Sequence, residues 1–153
     1  MLGYFLTSSR VGIYNIALQL GNLLTAILVT VSFLLPPVLT RLHEDGEHDD
    51  MFATYQGLTK WMILLAIPVF TILYFKPKLI ITTLFGAKYS GGDLTLQIIL
   101  LGKLFAIIAG LNTNALIALG DNQIVSYLVF IEVFINFVLN VVFIPIYGIE
   151  GGA

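Results

Sequence analysis

Four long apolar runs, each able to cross a lipid bilayer, dominate this sequence and leave few folds open to it. A hydrocarbon core about 30 Å thick needs roughly 20 apolar residues in a helix. The runs fall at about residues 11–39, 57–75, 94–119 and 123–146. Charged residues make up 10% of the chain, where soluble domains carry about 25%. Five of the nine acids (Glu44, Asp45, Glu47, Asp49, Asp50) are confined to one stretch between the first two runs. Four such stretches in 153 residues, with a mean hydropathy of +0.97, argue against buried helices of a soluble protein. The fold class expected is all-α, a polytopic transmembrane helix bundle.

Local signals set the expected boundaries. Pro36-Pro37 is expected to end or kink the first span near its exit, because proline removes a backbone donor and clashes with the preceding turn. Lys60-Trp61 and Lys76-Pro77-Lys78 bracket the second span as interfacial anchors, and Pro68 predicts a kink inside it. Residues 79–85 are too few to span and read as a short interfacial helix, followed by a glycine-dense loop over 86–92. Asp50, Asp93 and Asp121 are read as N-caps of the second, third and fourth helices, and Gly120 as the residue that closes the third. Gly102, Ala106, Gly110 and Ala118 form a small-residue seam on the third span, expected to pack against another helix. The opening MLGYFLTSSR lacks the basic region and cleavage site of a secretory signal. The first span is therefore expected to insert by itself or after upstream spans.

Several function classes find no support. A net charge of -2 without a basic cluster argues against nucleic acid as a partner. Cysteine is absent, which removes disulfides and thiolate metal sites. His43 and His48 stand among acids, a pattern read as a solvated loop and not as a metal site. Ser8-Ser9 has no catalytic partners at a recognisable spacing, and neither Gly91-Gly92 nor Gly151-Gly152 has the context of a phosphate-binding loop. No cofactor and no enzymatic chemistry are expected.

Inside a membrane the informative side chains are the polar ones, since each must be paired or must face water. On the first span Asn15, Gln19, Asn22 and Thr30 share one face at about 100° per residue. On the fourth span Glu132, Asn136 and Asn140 recur every four residues, and the third carries Lys103, Asn112 and Asn114. These ten are the candidate cavity-lining residues. Hydrogen-bonded glue between helices is the competing reading for the amides, and snorkelling toward an interface is the competing reading for Lys103. Counting about 1.5 Å per residue from the turn at Gly120-Asp121 puts Asn112 level with Glu132, and Lys103 near the level of Asn140. A Lys103–Glu132 ion pair is therefore not expected.

Three segments, taken in order, resemble the polysaccharide-biosynthesis branch of the multidrug/oligosaccharidyl-lipid/polysaccharide exporter superfamily. They are Val11-Gly12-Ile13-Tyr14-Asn15-Ile16-Ala17, Leu84-Phe85-Gly86-Ala87-Lys88-Tyr89, and Asn136 to Asn140 continuing through Ile144-Pro145-Ile146-Tyr147-Gly148 to Ala153. The resemblance implies four spans of a six-helix lobe in a MATE-like transporter, with the C-terminal lobe favoured by Phe33-Leu34-Leu35-Pro36. Residues 1–153 would then form a partial transmembrane domain, whose partners include the missing helices of a longer transporter. The function implied is translocation of a polyprenyl-diphosphate-linked oligosaccharide across the cytoplasmic membrane, for surface polysaccharide biosynthesis. Its partners would be membrane lipid and the lipid-linked oligosaccharide, and its mechanism alternating access between two rocking lobes. With Lys60 read as an interfacial anchor, Lys103 is the one intramembrane cation available to a diphosphate.

Orientation signals conflict. Arg10, Lys76, Lys78 and Lys88 outnumber Arg41 and Lys60 on the acidic-loop side, which favours a cytoplasmic N-terminus. The family topology implies the reverse and is followed here. Three other functions stay open: an ion-coupled multidrug exporter of the same fold, a membrane-embedded sugar polymerase or transferase, and a packing subunit without transport of its own.

Overall fold

The computed structural model describes residues 7–153, apart from the side chains of Ile27 and Leu28. Residues 1–6, part of the segment read above as no cleavable signal, lie outside the described residues. Among those described, five α-helices follow one another: α1 (Ser8–Glu44), α2 (His48–Phe75), α3 (Pro77–Phe85), α4 (Asp93–Ala118) and α5 (Asn122–Tyr147). Residues Ala87–Gly92 and Glu150–Gly152 coil into 3-10 turns. The protein is all-helical, and α1, α2, α5 and α4 with its leading turn are long and apolar enough to cross a membrane.

Several boundaries differ from the sequence reading. Pro36-Pro37 does not end α1, which runs on to Glu44 as a 37-residue helix. Leu35 and Leu39 bury on either side of the pair, at 0% and 2% exposure, so packing holds the helix where two backbone donors are lost. Helix α2 starts at His48 with Glu47 at the N-cap, which puts Asp50 inside its first turn. There its charge still favours the positive end of the helix dipole. Asp93 likewise opens α4 from inside the helix, behind Gly92. Asp121 does hold the N-cap position of α5, but without a side-chain capping bond. Within the stretch 86–92, Ala87–Gly92 form a 3-10 turn and not an open loop. Gly120 follows the last turn of α4 with φ +81°, a conformation that costs glycine nothing. The tight reversal it makes sets α5 beside α4.

Helix α4 is central and contacts α1, α2, α3 and α5. Its Leu96, Ile99, Leu100, Ile107 and Leu111 pack with Ala17, Leu20 and Leu24 of α1 and with Met62, Ala66 and Leu73 of α2. In lipid such burial gains little from the hydrophobic effect, because the tails are as apolar as leucine. Close packing and interhelical hydrogen bonds hold the bundle instead. A close approach of α1 to α4 is at Gly21, where a Cβ would stand 2.5 Å from Ile99 Cγ2. The seam read on α4 is not this contact: Gly102 and Ala106 are exposed, and a Cβ on Gly102 meets nothing within 4 Å. Ala118, the last residue of the seam, is 4% exposed and its carbonyl accepts from Thr40 of α1, so the seam meets another helix at that end and not at Gly102 and Ala106.

Helix α5 is different. Ile144 is its one buried residue, and large side chains such as Phe130, Val133, Phe134 and Phe137 stand exposed around it. Beyond it the chain turns back, and the Tyr14 hydroxyl of α1 donates to Gly152 O at 2.8 Å.

Gly21→Ala is expected to force α1 from α4 and cost about 1–3 kcal/mol. Gly102→Ala, into open space, should change stability little. Thermal unfolding of the two variants in detergent checks this, and equal melting temperatures would refute the Gly21 contact.

Candidate functional site

The ten candidate polar residues fall into three groups. The first is the α1 stripe. Asn15, Gln19, Asn22 and Thr30 are all exposed, as is Ala26 between them. Ala17, Leu20 and Leu24, which form the packed side of α1, are 0–4% exposed. At about 100° per residue the two sets point in nearly opposite directions. The stripe therefore faces away from α4. Thr30 satisfies its hydroxyl by donating to Ala26 O at 3.1 Å, a back-bond that helices tolerate.

The second group holds helices together. Asn114 is 8% exposed, and its Nδ2 donates to Ser32 Oγ at 2.8 Å, tying α4 to α1. The Tyr55 hydroxyl of α2 donates to Asn112 Oδ1 at 2.6 Å. Nearby, Thr40 Oγ1 donates to Ala118 O at 3.4 Å and Gln97 Nε2 to Tyr74 O at 3.0 Å. Lys103 is half-buried, with its Cγ 3.8 Å from where a Cβ on Gly21 would lie. Its stem thus covers the same close contact that positions α1.

The third group lies on the far side of α4. Glu132 and Asn136 of α5 line an open groove of about 600 Å³ with Asn112 and Thr113 of α4, walled by leucines and isoleucines. Asn136 continues into a second groove of about 500 Å³ that also takes in Asn140, Tyr147 and Glu150. Asn140 Nδ2 donates to Asn136 O at 2.7 Å and to its Oδ1 at 2.9 Å. Asn112 also borders an apolar groove of about 390 Å³ between α1, α2 and α4.

The structure therefore brings Asn112, Glu132 and Asn136 together. It does not bring the α1 stripe to the α5 row, because α1 turns that face outward. Lys103 lies outside the Glu132 groove, and among the described residues the ion pair formed is Arg41–Asp45 at 3.6 Å, at the exposed C-terminal end of α1. Such a pair is worth about 0–1 kcal/mol. The rings of His43, in the last turn of α1, and His48, the first residue of α2, are 5.6 Å apart, and no three His, Cys, Asp or Glu side chains gather into a metal site among the described residues. The sequence reading passed over Ser32 and Tyr55, the partners that fix Asn114 and Asn112. A single serine and a single tyrosine carry no periodic signal. Only the helix pairing reveals them.

Comparison with known proteins places this geometry. Residues 1–92 match the family model described as "Polysaccharide biosynthesis protein". The chain belongs to that family. An uncharacterized membrane protein of Methanocaldococcus jannaschii is 26% identical over 153 residues, covering 99% of this chain. The chain spans 30% of that relative's length. No solved structure gives a significant match. As a member of the polysaccharide-biosynthesis family with four candidate spans, the chain is a membrane protein with a polysaccharide-related role.

The Asn114–Ser32 bond should couple α4 to α1 by about 0.5–2 kcal/mol. A double-mutant cycle with Asn114→Leu and Ser32→Ala, read by thermal unfolding, measures it. Strictly additive losses would show that the bond contributes nothing.

Proposed function

We propose that this chain is part of a flippase that moves a polyprenyl-diphosphate-linked oligosaccharide across the cytoplasmic membrane, for surface polysaccharide biosynthesis. The outward polar stripe of α1 carries the reading. Asn15, Gln19 and Asn22 stand exposed on a helix that is long and apolar enough to span the bilayer, on the side away from its packing partners. Lipid tails offer amides no hydrogen bonds, so such a face must meet water, polar substrate or other protein. Amide side chains both donate and accept, which suits the many hydroxyls of a sugar. Family membership supports a polysaccharide role, and the greater length of the relative supports further helices completing the path.

In this reading the work is positional. The α1–α4–α2 packing holds the stripe rigid, and the stripe offers a sugar successive amides one helical turn apart. No covalent step is required. Alternating access comes from this wall moving against one built elsewhere in the longer transporter, with which the chain would be partnered. The C-terminal lobe is the place assigned to it, and Lys103 is the chain's own cation for a diphosphate.

The test is lipid-linked oligosaccharide flipping in reconstituted vesicles. Replacing Asn15, Gln19 and Asn22 together by leucine should lower the initial rate at least about tenfold, the effect of some 1.4 kcal/mol on a barrier. The melting temperature should barely move, since these residues support no packing. An unchanged rate would exclude the stripe from the path. Export of amphipathic organic cations by wild type, without flipping, would replace the flippase by a drug exporter.

A further inference from the structure

We propose that the groove along α2 at its acidic-loop end holds one anionic glycerophospholipid, with the phosphate between Lys60 and Gln56 and an acyl chain along Ile63, Leu64 and Ile67. These residues, with Tyr55 and Thr59, line an open groove of about 470 Å³ on one face of the helix. The groove changes character along its length. Its polar side chains lie at the end nearer the acidic stretch, and its aliphatic ones follow over the next two turns. Lys60 and Lys76 stand sixteen residues apart on α2, about 24 Å at 1.5 Å per residue. Each can therefore meet one border of a hydrocarbon core about 30 Å thick. Trp61, 62% exposed, marks the same border as Lys60. Ile67 lies about 10 Å deeper, at the level of lipid tails.

The hydrogen-bond donors decide what the polar end binds. The Tyr55 hydroxyl gives its proton to Asn112 Oδ1, and Thr59 gives its own to Tyr55 O at 2.7 Å. The donors that remain in the groove are the Lys60 ammonium and the Gln56 amide, one helical turn apart. A phosphodiester has two unesterified oxygens that only accept, and it fits between two donors so placed. Among the described residues, no carboxylate lines the groove. Asp49 and Asp50 come ten or more residues before Lys60. That puts them about 15 Å away along the axis, beyond the screening length of roughly 8 Å in physiological salt. Arg41, the other cation read on this side, is paired with Asp45.

The same chemistry selects among lipids. A zwitterionic headgroup would bring its own cation against Lys60. A phosphatidylglycerol-type headgroup brings hydroxyls instead, and Thr59 Oγ1 keeps lone pairs to accept one. This site does not rest on the flippase reading. It lies on α2 and the stripe on α1, and lipid preference is measured without transport, so either can fail while the other holds.

Trp61 is the chain's single tryptophan and stands next to Lys60, so brominated lipids, which quench indole fluorescence at short range, report on the groove. The protein is reconstituted in vesicles holding brominated phosphatidylglycerol or brominated phosphatidylcholine at equal mole fraction. Wild type should favour the phosphatidylglycerol about fivefold in relative binding constant, the effect of one interfacial cation on an anionic lipid. Lys60→Met, which keeps an apolar stem, should lose that preference. Equal quenching by the two lipids in wild type, or an unchanged preference in Lys60→Met, overturns the site. Should Lys60→Met fail to reconstitute, Gln56→Leu decides: a preference lowered at least about twofold supports the site, and a smaller change overturns it. A trace of polyprenyl diphosphate should leave the quenching unchanged. Displacement of the phospholipid would make the groove a dock for substrate and overturn the assignment.

Discussion

Where α1 crosses α4, Gly21 lets Ile99 come close enough that no Cβ would fit between them. Asn114 and Ser32 hydrogen-bond farther along the same pair. In a bilayer there is no large hydrophobic term to press helices together, so short-range packing and a few polar bonds carry the association. Two consequences follow from this contact. With Ala17, Leu20 and Leu24 turned to α4, the amide stripe of α1 must point outward. With one side of α4 taken by α1 and α2, α5 can dock only on the other. The positions of both polar faces are therefore set by a single helix–helix contact.

The two faces are chemically unlike. The α1 stripe is neutral, made of amides and a threonine, and nothing packs on it among the described residues. The α5 groove has a carboxylate among oxygens and is walled by aliphatic side chains. They lie on opposite sides of the packed α1–α4 pair. In secondary transporters, coupling between faces passes through elements that shift as units. The Tyr55–Asn112 bond is the polar link between α2 and the groove side of α4.

Much of this was legible in the sequence. Length and hydropathy are properties of each helix alone, so the four long helices and the short one near residues 79–85 could be read directly. The stripe on α1 and the row on α5 could be read as well, because periodicity places residues on a face. Periodicity does not say which way a face points. That depends on which helix packs where: of the small-residue seam on α4, Ala118 is buried against α1 while Gly102 and Ala106 are exposed. Asn112 and Asn114 show the same limit. They lie two residues apart, yet one opens on the Glu132 groove and the other is buried against Ser32. Pro36-Pro37 does not end the helix for a related reason: the local rule describes an isolated helix, and Leu35 and Leu39 are buried on either side of the pair.

The central claim is that the α1 stripe faces water, and thiol accessibility measures it. The sequence carries no cysteine, so single substitutions at Gln19, Asn22 and the fully buried Leu24 report without background. A thiol reacts with a membrane-impermeant maleimide only as a hydrated thiolate. Gln19→Cys and Asn22→Cys are expected to label at least about tenfold faster than Leu24→Cys in intact membranes, and to be protected by lipid-linked oligosaccharide. Labelling at Gln19 and Asn22 as slow as at Leu24 would place the stripe against lipid or protein and contradict the account.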